Sequence, residues 1–406
     1  MQRVSVVLPL SFLLLAGLAV PAGAVITPMG PQEMLLDPIA GRLYTYLAYD
    51  NRILAMDVAS GLLVSIITEV GILGDRYEGT GIRTIALDEQ AGRLFAISSA
   101  ERGPDGQSWT LYVIDTTQGT IVQKLSMGVS PSPSHSQLLT DPVHSKLYAV
   151  GETDTLVYDT TSLADLGTLP GGRWALIDRE SDKLYLVDDE GLAVINTADD
   201  TILMEAPRPQ GFPFGMAVDP LRDRFYLALE GAIHVLDTAT QQWLDPLLNV
   251  PSIIFALAID PGDGELYIAG REEGGDMMNF YVFVLSPDTG EHKTTITFQE
   301  PPAPEGYECL GYEWVNMGRW TLAPDGGTIY GSGNTMSRCR PEAHLAFVLD
   351  TEAEMVVEWL PRLPTLPDTG GQLASGGWLA LAGFGLSLCG ILVYCLQSRP
   401  AKSSYH

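Results

Sequence analysis

Basic residues are scarce in this chain of 406 residues. Lys and Arg total 23 against 50 Asp and Glu, and few of the 23 are lysine. The formal charge of −27 sets the body against nucleic acid and anionic lipid unless one patch is locally basic. Cysteine is nearly absent: only Cys309, Cys339, Cys389 and Cys395 occur, the last two inside a C-terminal apolar run. Catalytic signatures are missing too. The chain has no H-E-x-x-H, no G-x-S-x-G, no C-x-x-C and no G-x-x-x-x-G-K. Its histidines, His135, His144, His234, His292, His344 and His406, are not spaced as a metal pair. No catalytic residue, metal ligand or cofactor is read from these residues. Sustained helical periodicity is also lacking in the body.

What is present is apolar, at 46% of residues, and punctuated throughout by Gly and Pro, which favours a folded globular body. Residues 1–24 read as a signal peptide. Arg3 supplies the positive start, Val4 to Val20 the apolar stretch, and Ala22-Gly23-Ala24 the small-residue cleavage site. The mature chain then starts near Val25. A retained transmembrane helix is the other reading of the same stretch.

From Glu33 to Leu360 one phrase recurs: LLDPIAGRLY, IALDEQAGRLF, LLTDPVHSKLY, ALIDRESDKLY, AVDPLRDRFY, AIDPGDGELY and a shortened LAPDGGTIY. In six copies an aspartate stands seven residues before the aromatic: Asp37, Asp88, Asp141, Asp178, Asp219 and Asp260. A second phrase follows each, with its polar pivot at Asp57, Asp115, Asp159, Asn196, Asp237, Ser286 and Asp350. Each unit holds four short Val-, Ile-, Leu- and Tyr-rich runs separated by turn residues. The D-P-x-x-G/D stretch is a tight turn between the first and second runs, and in the D-T-x-x-G turn between the third and fourth an Asp or Asn can bond its own backbone two residues on. Four antiparallel strands about every 40 residues mark a propeller blade. The expected fold is all-β: a seven-bladed β-propeller of four-stranded antiparallel blades over residues 25–360, plus a C-terminal transmembrane or sorting helix. The Asp260–Glu265 stretch, superficially like a calcium loop, occupies the ordinary turn position of the repeat and lacks a twelve-residue frame.

These phrases resemble the YVTN-type surface-layer propeller repeats, most closely at LYVIDTTQGTIV (Leu111 to Val122) and FYLALEGAIHVLDTATQQW (Phe225 to Trp243). The resemblance covers nearly all of the mature body and implies the fold rather than an activity. Propellers of this architecture include binding subunits, lactonases and quinone-dependent dehydrogenases, and fold alone assigns none of these activities.

Blade topology sorts the loops onto two faces. Links between first and second strands, and between third and fourth, are uniformly short. Links on the other face vary: Thr68 to Gly81, Ser98 to Trp109, Ser126 to His135, Gly270 to Met278, Phe298 to Gly318 and Gly331 to His344. Binding on a rigid scaffold belongs with the variable loops. Cys309 and Cys339 fall in neighbouring loops of that face and are expected to form a disulfide, worth about 2–4 kcal/mol; two free thiols are the alternative. Tyr307, Tyr312 and Trp314 on the same link either offer a stacking surface or roof the blade beneath. Five residues before the aspartates, the innermost strands carry Gln32, Arg83, Ser136, Arg173, Phe214 and Phe255. The seventh copy, aligned on its Arg-Trp pair, adds Arg319. Arg83, Arg173 and Arg319 at one level of the channel mouth would make a cationic spot for an anionic ligand or an acidic side chain. Each arginine paired with a local acid is the competing arrangement.

The tail resembles the sorting signal of Gram-positive wall-anchored proteins. Leu366-Pro367-Asp368-Thr369-Gly370 lies in a short linker, residues 361–376, ahead of an apolar span at 377–396 and a tail at 397–406 carrying Arg399 and Lys402. The span is long enough to cross a bilayer, and the basic residues place the C-terminus on the cytoplasmic side. By that resemblance the partners are a sortase-type transpeptidase, which cuts after Thr369, and peptidoglycan; a permanent single-span membrane anchor is the alternative. Together these features describe a cell-surface propeller on the outer face of the envelope. It would bind or display an extracellular protein, glycan or anionic ligand, and not nucleic acid. The rival is an exported enzyme, lactonase-like or quinoprotein-like, with a site at the central channel mouth.

Overall fold

Each repeat opens on a turn with the same backbone shape. Four residues after the repeat aspartate the chain turns left-handed, at Gly41, Gly92, Ser145, Asp182, Asp223 and Gly264, with φ of 61, 62, 54, 52, 51 and 70°. The aspartate makes this turn possible. Asp37 Oδ1 accepts the N–H groups of Ile39 at 3.0 Å and Ala40 at 2.8 Å, and Asp141, Asp178 and Asp219 repeat the pattern. Asp88 accepts from Ala91, and Asp260 from Gly262. All six are buried, so the backbone bonds replace lost water. The third-to-fourth-strand turns follow the same rule: Gly61, Gly119, Leu163, Asp200, Gln241, Gly290 and Glu354 are left-handed.

The computed structural model describes residues 33–47, 52–68, 70, 81–103, 106–130, 135–229, 231–247, 253–271, 281–297, 320–324, 326–332 and 346–360. Every element among them is a strand, and the strands form seven four-stranded antiparallel sheets. The first blade is Met34–Asp37, Arg42–Leu47, Arg52–Asp57 and Leu63–Ile67; the second Gly81–Asp88, Arg93–Gly103, Gly106–Asp115 and Thr120–Ser130. The third is His135–Asp141, Lys146–Gly151, Asp154–Asp159 and Asp165–Pro170; the fourth Trp174–Asp178, Lys183–Val187, Gly191–Asn196 and Ile202–Pro207. The fifth is Gly215–Asp219, Arg224–Leu229, Ala232–Asp237 and Gln242–Trp243; the sixth Ile253–Ile259, Leu266–Arg271, Tyr281–Leu285 and His292–Thr297. The seventh is Thr321–Leu322, Thr328–Ser332, Ala346–Asp350 and Met355–Leu360. The expected seven-bladed propeller is therefore present. The chain divides after Leu363. The leader, Arg319, Cys309, Cys339, the linker with Leu366 to Gly370, and the apolar span all lie outside the described residues. Among the described residues no helix is long and apolar enough to cross a membrane.

Every sheet is contiguous in sequence, including the first and the last. The ring closes where Met34, Leu43 and Met56 of the first blade pack on Tyr330 of the seventh, and no described strand crosses that seam. The repeat aromatics Tyr44, Phe95, Tyr148, Tyr185, Tyr226 and Tyr267 are 0–1% exposed and fill the spaces between blades. Tyr185 of the fourth blade, for instance, stacks on Phe225 of the fifth, with centroids 4.8 Å apart.

Polar bonds join the same blades. The basic residue opening a second strand reaches the outer turn of the next blade. Arg42 donates to Thr116 O at 2.6 Å, Arg93 to Thr160 O at 2.6 Å, and Lys146 to Thr197 O at 2.7 Å. Nearer the axis, the buried Glu33 carboxylate accepts from Ile85 N at 2.9 Å and Thr84 Oγ1 at 2.9 Å. Thr84 Oγ1 in turn accepts from Leu138 N at 3.0 Å, and Gln137 Oε1 accepts from Ala175 N at 2.6 Å. Four consecutive inner strands are stitched this way.

Two features depart from the sequence reading. Ser98 to Trp109 and Ser126 to His135, expected as loops, largely continue the second blade's strands. Ser99 pairs with Trp109, Arg102 with Gln107, and Thr110 with Ser126, so this blade outruns its neighbours on the long-loop face. Runs of consecutive polar residues broken by Gly and Pro fill that stretch and mimic a loop. Outer edges are also bulged, as between Ala55 and Met56 or Val113 and Ile114. The extra residues, among them Val64, Val122, Leu166, Leu203 and Val357, are turned out to solvent. Bulges twist an edge away from further pairing.

Asp260 binds the sixth blade to the seventh. Its Oδ1 accepts Gly262 N at 2.7 Å, and its Oδ2 accepts Gly327 N at 3.0 Å and Thr351 Oγ1 at 2.6 Å. Asp260→Ala strands three donors at a site 0% exposed. It should lower the unfolding free energy by about 3 kcal/mol, read by denaturant titration. A loss under about 1 kcal/mol would remove this joint from the stabilising set.

Candidate functional site

In the second to sixth blades the position five residues before the aspartate is a β-bulge. Register slips around Arg83 in the second blade, Ser136 in the third and Phe255 in the sixth. In the fourth and fifth blades Arg173 N and Phe214 N bond Val187 O and Ala228 O, the residues already opposite Trp174 and Gly215. A bulge adds a residue and re-aims its side chain at the rim of the sheet. The alignment thus picks out one structural level around the axis.

Arg83 and Arg173 take this position two blades apart, each with nearby partners. Arg83 Nε donates to Ser99 Oγ at 3.2 Å. Arg173 lies between two carboxylates, with Nε 3.3 Å from Glu152 Oε1 and Nη1 3.0 Å from Asp189 Oδ2. Glu152 belongs to the third blade and Asp189 to the fourth. Neither is among the acids nearest in sequence, which is why local inspection does not find them.

On the long-loop face the fourth blade brings a group of aromatic and charged side chains together. Trp174 meets Phe212 edge-on at 5.3 Å, and Phe212 meets Phe214 at 5.5 Å. Phe212 is 55% exposed and stands beside Arg173's own neighbour in the strand. Arg208, only 6% exposed, fixes the link that carries it, donating to Asp188 O, Pro209 O and Gly211 O. A cleft of about 390 Å³ lies next to this group, lined by Pro170, Asp188, Glu190, Glu205 and Pro207 among others, with no basic residue in its wall. Asp188 is partly committed: its Oδ1 accepts Glu190 N at 2.7 Å and Gly191 N at 2.6 Å. Glu190 and Glu205 are exposed. Sequence reading passed over this link; its signal was the Pro- and Phe-containing run Pro207 to Gly215 between two blades.

The short-turn face is built differently. Arg179 spans three blades there: it donates to Thr140 O at 3.2 Å, Thr140 Oγ1 at 2.9 Å and Leu87 O at 3.4 Å, and pairs with Glu89 at 2.9 Å. Beside it Asp141, His144 and Asp182 bring three donor atoms within 4.8 Å of one another. Burial pushes the Asp141 carboxyl up, but the Thr197 hydroxyl and the His144 ring and N–H outweigh this and hold it below the ordinary range. A search for paired histidines misses this group, because Asp182 comes from the next repeat.

The two arginines near the axis should separate on mutation. Arg173 is 41% exposed and its carboxylate partners Glu152 and Asp189 are 43% and 61% exposed, so Arg173→Ala should change stability by less than about 1 kcal/mol. Arg179→Ala frees backbone carbonyls of two blades and should cost about 2 kcal/mol. Urea titration of both variants checks this; a reversed order would make Arg173 the strut.

The chain matches no family model and no curated relative. Among solved structures it is similar to Kuenenia stuttgartiensis hydrazine synthase, at 13% identity and a TM-score of 0.57, over 80% of this chain and 96% of that one. It is also similar to a chain in the crystal structure of the mitotic checkpoint complex, at 12% identity and a TM-score of 0.56, over 76% of this chain and 86% of that one. At such identities the likeness shows the fold alone: this chain is a seven-bladed β-propeller.

Proposed function

We propose that this protein is an exported, surface-tethered propeller that binds an extracellular protein segment through its long-loop face. The observation that carries the reading is the acid-walled cleft of the fourth blade, adjoining the exposed Phe212 and the Arg173 cluster. A cavity of this size takes a few side chains. Its exposed Glu190 and Glu205 complement basic groups, and Phe212 offers an aromatic edge for packing. A basic, aromatic-containing segment suits that wall better than the anionic small ligand first suggested by the arginines, because Arg173 already faces two carboxylates. The export and tethering part of the proposal rests on the leader, the Leu366 to Gly370 motif, the apolar span and the basic end read together. A Cys309–Cys339 bridge belongs to the same proposal and would order two long links of this face.

Two measurements test the two halves. A synthetic arginine-rich peptide should bind the immobilised protein, and Glu190→Gln with Glu205→Gln should weaken it about tenfold. Glu291→Gln, in an outer turn of the sixth blade, should leave binding unchanged; equal weakening there would trace it to overall charge and end the cleft assignment. For the tether, Thr369→Ala should shift the protein from a wall-bound to a detergent-extractable form. Unchanged size and extractability would make the span a permanent anchor.

A further inference from the structure

The joint between the third and fourth blades differs from its counterpart between the sixth and seventh. There Thr351 Oγ1 closes on the buried aspartate, 2.6 Å from Asp260 Oδ2. Here the equivalent hydroxyl, Thr197 Oγ1, is buried near enough to Asp141 to act on its carboxyl but does not close on it at hydrogen-bonding geometry. Asp141 Oδ2 is instead 2.8 Å from His144 Nδ1, and the next blade brings Asp182 Oδ1 to 3.8 Å from the same nitrogen. In the fifth blade the place of His144 is taken by Arg222, whose Nη1 pairs with Asp219 Oδ2 at 2.6 Å. A fixed cation in one copy is thus an imidazole, able to act as a ligand, in another.

We propose that Asp141, His144 and Asp182 form a divalent-cation site of the zinc class, bridging the third and fourth blades on the short-turn face. One imidazole nitrogen and two carboxylate oxygens are a zinc donor set, with bonds of about 2.0–2.2 Å. Donors around a tetrahedral ion of that radius stand about 3.4 Å apart. The observed 2.8 and 3.8 Å straddle that spacing, so side-chain rotation alone brings the atoms into place. Two carboxylates and a neutral imidazole balance the ion's charge. Calcium, which takes six to eight oxygens, suits a nitrogen-containing set poorly. Among the cations around the site, Lys146 is engaged by Thr197 O and Asp200, 2.7 and 2.8 Å away, and Arg179 by Thr140 and Glu89. Asp182 is 47% and His144 23% exposed, which leaves an entry path from solvent and room for a water as fourth ligand. The buried Thr197 hydroxyl would then orient the Asp141 carboxylate, as outer partners of metal ligands do.

Zinc chloride titrated into the full chain tests this by calorimetry and thermal unfolding. One saturable site and a raised unfolding midpoint are expected. Asp182→Asn suits the left-handed φ of 52°. It should keep the zinc-free midpoint and weaken zinc about tenfold or more, and His144→Ala should remove binding. Cobalt substitution should give the visible bands of a four-coordinate site in the wild type and lose them in both variants. No saturable zinc binding, or binding unchanged in both variants, would overturn the assignment and leave His144 as a hydrogen-bonded imidazole.

Discussion

A buried aspartate carboxylate bonded to the N–H groups of its own turn is the contact on which the rest of the ring depends. Each inner hairpin needs a left-handed residue four places on, and the carboxylate holds the intervening backbone so that this residue falls there. The turn sets the register of the first two strands. The register places the repeat aromatic between blades and the basic residue against the next blade's outer turn. Sequence periodicity, packing and blade-to-blade bonding are consequences of one local geometry repeated around an axis.

That dependence explains what was legible. Asp37, Asp88, Asp141, Asp178, Asp219 and Asp260 stand at fixed spacing from an aromatic because the backbone chemistry between them is local, and local chemistry leaves its mark on a single chain. Blade number followed directly. The bulge level was legible for a related reason: aligning Arg83, Arg173, Phe214 and Phe255 on the aspartates amounts to aligning them on the turn. The partners of Arg173 were not, because Glu152 and Asp189 arrive from separate links, and only the packing of two blades brings them together. The second blade's projection was hidden by polar strand residues that read as a loop. The cleft was invisible for the same reason as the Asp141 group: both are made at joints between repeats, and a repeat alignment compares positions without showing which of them touch.

The two faces divide labour along physical lines. On the short-turn side, Asp260 is buried and Arg179 is bonded to backbone carbonyls, and removing either exposes unsatisfied partners. On the long-loop side around the fourth blade, Arg173, Asp189, Glu190, Glu205 and Phe212 are exposed, and their contacts can be exchanged at little cost.

The seam between the first and seventh blades has a consequence of its own. Because no described strand of the first blade pairs into the sheet of the seventh, the circle can part there without unpairing any described strand. The apolar faces of Met34 and Leu43 must then slide away from Tyr330. The ladders inside each blade therefore survive an opening that the closure does not, and amide exchange within the sheets would not register it. A circular permutant that joins these two ends and cuts any other link between blades would keep all seven sheets intact while moving the gap elsewhere on the circumference.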